Sequence, residues 1–422
     1  MQNAAYIVSA VRTPIGKFGG ALAEFTAADL GVAVVRAAVE RAFGAAPGER
    51  RPGEKAAPGT EIPWRAPQPP AAMGGVRVDE VIFGNARPAG VGPNVARQIA
   101  WRAGLGDDVP AFTVNQACAS GLRAIILAAE RIRLGEVEIA VAGGAESMSR
   151  VPYLVDARWG MKMGHQPLTD SMYRDGLFCP MSEMLMGVTA ETLAAEYNIG
   201  RDEQDAYALE SHTRAAGAAA ECRFQAEILP IEKMDKKGSV TRCEKDEHVR
   251  ADVTRESLAR LAPVFSKTGT ITAGSASGIT DGAAALVLVS EQALREKQVK
   301  PLARIAGAAT AAVPPRVMGV GPVPAIRRLE QRTGWELGDY DAVELNEAFA
   351  VQVLACDREL HFDRARLNPN GGAIALGHPI ACTGARIVTT LLHHLQRTGG
   401  RRGLATLCVS GGLGVALAIE RV

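Results

Sequence analysis

The chain has 422 residues, 47% of them hydrophobic and 22% charged, with a formal net charge of +1. That length suits two or three domains, and the balance excludes a broad basic face for nucleic acid and an acidic solvating tail. Seven cysteines, scattered without CxxC spacing, fit reduced thiols in a cytoplasmic protein better than a disulfide framework. The N-terminus enters a strand pattern at Tyr6-Ile7-Val8 with no basic leader, and no apolar run is long enough to be read as a membrane span.

Residues 5–11 read as a buried strand, 12–16 as a loop, and 27–43 as a helix with Leu30, Val34, Ala37 and Ala38 on its apolar face. Residues 44–75 carry seven Pro and six Gly and read as a loop or disordered insertion, with Trp64 available to pin it to the surface. Residues 78–83 form the next expected strand, 94–103 a helix, and 138–142 a strand ending in Gly143-Gly144-Ala145-Glu146-Ser147-Met148. From 149 to 275 the alternation weakens. Met161, Met163, Met172, Met181, Met184 and Met186 cluster here and read as the lining of an apolar cavity. Helices are expected over 190–197 and 202–220, and the charged stretch 233–260 reads as solvated, so the block resembles an inserted lid. Strand patterns return over 281–290 and 302–309.

The chain then repeats itself. Asp79–Ala86 resembles Asp341–Ala348, Ala117-Cys118 through Arg123 resembles Ala381-Cys382 through Arg386, and Val141–Gly144 resembles Val409–Gly412. The offsets of 262, 264 and 268 residues keep one order. They point to a duplicated α/β unit, with one half over 1–295 and the other over 300–422.

The chemistry is expected at strand ends. Val114-Asn115-Gln116-Ala117-Cys118-Ala119-Ser120-Gly121 reads as strand, tight turn, helix, which places Cys118 where orphan N–H groups and the helix dipole favour a thiolate. Free cysteines are mostly inert packing residues, so this stretch does not decide the matter alone. Three further segments add to it. His378 lies between Gly377 and Pro379 just before an expected helix, Cys408 stands at a strand end before Ser410-Gly411-Gly412, and Asn346 ends a third strand. Ligands of open α/β sheets bind at such carboxyl ends. Two thiols and an imidazole suit one reaction type: a thiolate attacks a thioester or ketone carbonyl, the histidine takes its proton, and the second thiol moves a proton at a developing carbanion. Zinc is the rival for such a set, but the short paired spacings of structural zinc sites are missing. His393 and His394 read as surface residues of an amphipathic helix, and Cys382 as a small packing residue.

With VNQACASG around Cys118, NEAFA from Asn346, NPNGGAIALGHP around His378 and CVSGGLG around Cys408, the chain resembles the thiolase family. GGAESMSRVPY, TAGSASGITDGAA and MGVGPVPA strengthen the resemblance, which covers nearly everything except 44–75. The resemblance implies duplicated α/β halves, each a mixed five-stranded sheet with helices, plus an inserted loop domain. It implies that Cys118 carries the acyl group, that His378 is base and oxyanion donor, that Asn346 holds a water at that oxyanion site, and that Cys408 is the acid/base for the second substrate. The backbone N–H groups of Cys118 and Ser410 would form a second oxyanion hole. Ser277 would contact coenzyme A, and Met186, Phe349 and Ala273 would belong to the same substrate-binding region. No permanent cofactor and no metal are implied; coenzyme A is a substrate, with acyl-CoA and acetyl-CoA as the other small-molecule partners. A homodimer or homotetramer and a β-oxidation multienzyme partner are implied as well.

Three departures stand out. Ser410 replaces the family's usual glycine. Leu185-Met186-Gly187 stands where short-chain members carry His-Met-Gly, which favours a broader or longer acyl chain. Ser275 replaces a frequent asparagine near the adenine-nucleotide end. Two other readings compete: a ketoacyl synthase-like condensing enzyme, which would need a histidine or asparagine where Cys408 stands, and a coenzyme A- or lipid-binding relative without turnover.

Overall fold

The computed structural model describes residues 4–45, 48, 76–234 and 238–422. Most of the 44–75 segment, Trp64 included, lies outside the described residues.

The first half runs β1 (Ala5–Arg12), α1 (Ala27–Phe43), β2 (Glu80–Gly84), α2 (Val95–Arg102), β3 (Ala111–Val114), α3 (Ser120–Arg133) and β4 (Ile139–Ser147). After a long irregular stretch that contains α4 (Met186–Glu196) and α5 (Arg201–Ala220), β5 (Thr280–Ser290) closes it. The second half runs β6 (Ala303–Ala312), α6 (Pro322–Thr333), β7 (Ala342–Leu345), α7 (Ala350–Leu360), α8 (Ile380–Thr398), β8 (Arg402–Val409) and β9 (Leu413–Arg421). Local chemistry sets these bounds. Thr26 and Asp29 form a capping box that starts α1, and Gly44 ends it at φ 76°.

The strands form one sheet in the order β7-β8-β9-β6-β1-β5-β4-β2-β3, with Gly16–Lys17 paired to β5. β1 is antiparallel to β5, β5 antiparallel to β4, and β4 and β3 flank β2 in parallel. The second half repeats this pattern. β6 is antiparallel to β9, β9 antiparallel to β8, β8 parallel to β7, and Val343 of β7 bridges Leu367 in parallel where β3 has its counterpart. The duplication legible in three short motifs is therefore a duplication of strand order and direction. Among the described residues, the two half-sheets are joined by two residue pairs, Tyr6 with Arg304 and Ile7 with Ala303.

α3 and α8 lie between strands of both halves. One core cluster holds Leu122, Ile125 and Ile132 of α3, Ile387, Leu391 and Leu395 of α8, and Ile7, Leu286, Leu407 and Leu417 from the strands. The two helices approach so closely that a Cβ on Gly121 would stand 2.6 Å from the Ala381 carbonyl, and one on Gly384 would strike the Leu122 backbone nitrogen. Only glycine permits that crossing, which draws the starts of the two helices together.

Two sequence expectations need correction. The 233–260 stretch is not simply solvated: Asp246 reaches Arg12, whose side chain is fully buried and also meets Glu227 at 2.6 Å. Burying Arg12 requires those two carboxylates, so part of the charged stretch folds inward. His393 and His394 are partly buried and partnered, at the Ala10 carbonyl (3.1 Å) and Asn370 (3.2 Å).

Candidate active site

Beyond β3 the chain turns sharply. Ala117 adopts φ 44°, a left-handed conformation uncommon for alanine, and Ala117–Ala119 form a single 3₁₀ turn before α3. Ser120 pins the turn: its hydroxyl donates to the Ala117 carbonyl (2.7 Å) and accepts from the Gln116 N–H (2.9 Å). Cys118 is thereby half-buried at the start of α3, and the backbone N–H groups of Cys118 and Ser410 favour its thiolate. Ser410 is delivered by the β8–β9 turn, where Gly411 and Gly412 take φ 90° and 85°. Burial raises the Cys118 pKa, and the Arg87 charge followed by the two N–H groups oppose it.

Cys408 lies on β8, two residues before Ser410, and is buried. Burial pushes its thiol well above the ordinary range, and the nearby Cys118 adds to this, so Cys408 is held as the neutral thiol. His378 is buried and fixed by Thr383, whose hydroxyl stands 2.6 Å from Nδ1 and donates to the Pro379 carbonyl at 3.1 Å. That hydroxyl has one proton. Given to Pro379, it leaves Thr383 as the acceptor for Nδ1–H, which assigns the tautomer with Nε2 bare. Nε2 is buried without a protein partner. Burial, then Arg386 and Arg87, push the His378 pKa down to about 3, so the imidazole is neutral. Asn346, also buried, leaves both side-chain amide atoms unpartnered. Buried polar atoms are rarely left so, and orphaned atoms on two of the expected residues mark a place built for a ligand or water.

The other expected residues fall into two groups. Met186, Phe349 and Cys408 share one core cluster, with Phe265 packed on it and edge-to-face against Phe349 at 6.0 Å. Ser277 is half-buried, and its N–H donates to the Ala348 carbonyl while His378 N–H donates to Gly278. These bonds tie the 275–278 segment to the Phe349 and His378 loops. Ala273 is exposed, and no described interaction brings it to the cysteines. Ser275 is fully buried and accepts from Thr272 N–H, so it shapes a turn and presents nothing to a nucleotide. The methionines divide too. Met172 packs with Met148, Ala86 and Ile380 against Cys118, and Met186 is buried, but Met161, Met163 and Met181 are exposed. Cys382 is buried in the α3–α8 core, the packing role expected of it.

Glu146 stands within the GGAESMSRVPY segment. It is fully buried at the end of β4 and accepts four hydrogen bonds: from Asn85 Nδ2, Ala86 N–H, Arg87 N–H and Ala381 N–H, at 2.9 to 3.1 Å. One carboxylate thus clamps the ends of β2 and β4 to the start of α8, three residues after His378. Burial raises it to about 7, against the pull of Arg87 and these N–H groups. Glu347 clamps a second place, accepting from Tyr207, Ser211, Asn368 and the Ile374 N–H. An acid ending a run of small and apolar residues was the available signal for Glu146. Nothing local marked Thr383 or Arg87.

Among the described residues, no three His, Cys, Asp or Glu side chains stand together as a metal site, and no helix is long and apolar enough to cross a membrane.

A duplicated α/β fold with two cysteines and a neutral histidine at the starts and ends of its inner elements defines an acyl-transfer enzyme of the thiolase kind. The Thiolase, N-terminal domain family matches residues 5–49 and 71–292, and the Thiolase, C-terminal domain family matches 299–421. The chain is 46% identical over 418 residues to the acetyl-CoA acetyltransferase of Escherichia coli, covering 99% of this chain and 98% of that protein. It is 44% identical to the acetyl-CoA acetyltransferase of Shinella zoogloeoides, with all of both chains covered. The crystal structure of the Bacillus anthracis acetyl-CoA acetyltransferase superposes with a TM-score of 0.89 at 44% identity, covering 100% and 99% of the chains. Human mitochondrial 3-ketoacyl-CoA thiolase in complex with CoA superposes at 0.88 and 38% identity, covering 100% and 98%. The chain belongs to the thiolase family, and it is an acyltransferase of CoA-dependent thiolase chemistry.

Proposed function

We propose that Cys118 is the acyl carrier of a ping-pong thiolase reaction. The observation that carries this reading is the sharp 117–119 turn that sets Cys118 at the start of α3, where the Cys118 and Ser410 N–H groups favour its thiolate, beside a buried neutral thiol at Cys408. His378 takes the Cys118 proton at its bare Nε2. The thiolate attacks C3 of a 3-oxoacyl-CoA, the C2–C3 bond breaks, and the electron pair leaves on C2 of acetyl-CoA as an enolate. Cys408 protonates that carbon. The Cys408 thiolate then takes the proton of the incoming coenzyme A thiol, whose sulfur attacks acyl-Cys118, releases acyl-CoA and regenerates the Cys118 thiolate beside the His378 imidazolium. Condensation of two acetyl-CoA molecules is the reverse sequence.

His378 Nε2 and the unpartnered Asn346 amide, the latter through a water, serve the thioester oxygen on which the enolate charge develops. The Cys118 and Ser410 N–H groups serve the oxygen of the acyl group on Cys118. A serine at 410 leaves its N–H available for this. Ser277, Phe349 and Met186 border the coenzyme A and acyl channel, with the exposed Ala273 at its outer side.

Chain length is open between two named relatives, acetyl-CoA acetyltransferases and a 3-ketoacyl-CoA thiolase. Leu185 at the start of α4 favours acyl groups longer than acetyl, because an apolar side chain replaces a polar one beside Met186. Initial rates of CoA-dependent cleavage across a chain-length series of 3-oxoacyl-CoA esters test this; turnover confined to acetoacetyl-CoA contradicts it. We also infer a homodimer or homotetramer, since Phe112 on edge strand β3 and Tyr153, Trp159, Met161 and Met163 are exposed apolar side chains that a second copy would cover. A cytoplasmic location and a β-oxidation role and partner complete the proposal, on the sequence resemblance alone.

A further inference from the structure

Arg87 is the most isolated buried charge near the site. Its side chain is 95% buried, the complement of its 5% exposure. Only Nη1 has a described acceptor, the Ala86 carbonyl at 2.9 Å, while Nε and Nη2 are buried without one. Gly176 of the covering segment packs directly on the guanidinium, where any Cβ would collide with it. A buried guanidinium without a hydrogen-bonded carboxylate is costly, so a counter-charge must compensate it in some working state. Glu146 is the nearby acid, but its two oxygens are already occupied by four other donors. The other groups near Cys118 are the neutral Cys408 thiol and, sharing Arg87's field, the neutral His378. Ala86 and Leu177, the chain neighbours of Arg87 and Gly176, belong to the same packed cluster as Cys118, so the contact between guanidinium and Gly176 is built beside that cysteine. The Cys118 sulfur is the group there that becomes an anion during turnover and has no carboxylate-bound cation of its own.

We propose that Arg87 is a positioning residue for acyl transfer, its buried guanidinium supplying the fixed positive charge opposite the sulfur of Cys118. The inference rests on Cys118 being the acyl carrier. Arg87 acts on both reactive groups in one sense: it favours the thiolate and keeps the imidazole neutral. The positive charge that other cysteine enzymes obtain from an imidazolium is here built into the scaffold, and His378 remains free to accept a proton. Glu146 partly offsets the effect at Cys118, raising its pKa. No covalent step changes; only the population of the attacking form does.

The test is the pH profile of Cys118 alkylation by iodoacetamide in the full-length wild type, Arg87→Gln and Arg87→Lys, with the alkylated peptide located by mass spectrometry. Arg87→Gln should move the midpoint to higher pH by about one unit, a roughly tenfold smaller thiolate fraction at neutral pH. Arg87→Lys should restore most of the shift. The acyl-enzyme burst at pH 7 should fall by a similar factor in Arg87→Gln and recover as the pH is raised. A folded Arg87→Gln protein, matched to wild type in thermal midpoint, with an unmoved alkylation profile would overturn the proposal. If Arg87→Gln does not fold, the Lys variant carries the test: a folded Arg87→Lys protein whose alkylation midpoint moves to higher pH by about a full unit, although the positive charge is kept, would likewise refute a role for charge. Alkylation at Cys118 in a wild type that forms no acyl-enzyme would instead overturn the parent reading of Cys118.

Discussion

Replacing Glu146 by Gln removes the clamp between the two halves of the site without changing its volume. The carboxylate accepts two bonds on each oxygen: Asn85 Nδ2 and Arg87 N–H on Oε1, Ala86 N–H and Ala381 N–H on Oε2. Glutamine keeps one acceptor oxygen, and its NH₂ must face the other pair of donors. If it faces the Oε1 pair, Asn85 can flip its amide and present its unpartnered Oδ1, but it then surrenders its bond to the Ala145 carbonyl, and Arg87 N–H is orphaned. If it faces the Oε2 pair, two backbone N–H groups are orphaned. An unsatisfied buried donor costs about 1–3 kcal/mol; glutamine relieves the desolvation that raises Glu146 to about 7 and offsets part of this, so Glu146→Gln should destabilise the protein by about 1–2 kcal/mol. The loss should appear as a lower urea midpoint at pH 7.5. Because His378 lies three residues before Ala381, the start of α8 should shift, and turnover should fall by about 10²-fold. Removing the negative charge simultaneously favours the Cys118 thiolate, so the alkylation midpoint should move to lower pH, opposite to Arg87→Gln. A Glu146→Gln protein with wild-type midpoint and wild-type turnover would refute the clamp.

Three other outcomes follow from the same geometry. His378 is already neutral from about pH 4 upward, since its pKa is pushed down to about 3. Between pH 5 and 9, kcat/KM should therefore rise with ionisation of Cys118 and show no acid limb near 6.5; a limb there, lost in His378→Asn, would contradict the assignment. Gly384→Ala drives a methyl group into the Leu122 backbone at the α3–α8 crossing and should cost about 1–3 kcal/mol or more, read as a lower thermal midpoint. Burial raises Glu344 to about 8 despite Arg386 at 3.3 Å. The folded state thus holds a proton that the unfolded state releases near pH 4.5. That contribution is complete below 4.5 and lost as pH rises through about 8, with a slope of at most about 1.4 kcal/mol per pH unit between them. Stability of Glu344→Gln, measured by urea titration from pH 5 to 8, should decline less steeply than wild type; an equal or steeper decline would count against it.

What the sequence disclosed and what it hid differ by range. Cys118, His378, Cys408 and Asn346 sit at turns whose glycine, proline and strand patterns are local, and the structure gathers the two cysteines and leaves His378 and Asn346 with orphaned buried atoms. The duplicated strand order was foreshadowed by short repeats because each repeat marks a strand end. The clamp at Glu146 was hidden because one of its donors lies 235 residues away in sequence. Thr383 was hidden because its role is to set a tautomer, which no spacing encodes. Asp246 looked like one more charge in a solvated run, yet its partner Arg12 lies 234 residues upstream. Composition reports average exposure, while a buried ion pair depends on one specific long-range contact.

The central claim is most directly tested by mixing the protein with a 3-oxoacyl-CoA in the absence of free coenzyme A, quenching in acid, and mapping the peptides by mass spectrometry. The account predicts one acyl group per chain, on Cys118, released as acyl-CoA when coenzyme A is added and absent from Cys118→Ala. An acyl group on Cys408 or Cys382 instead, or turnover without any acylated cysteine, would contradict it.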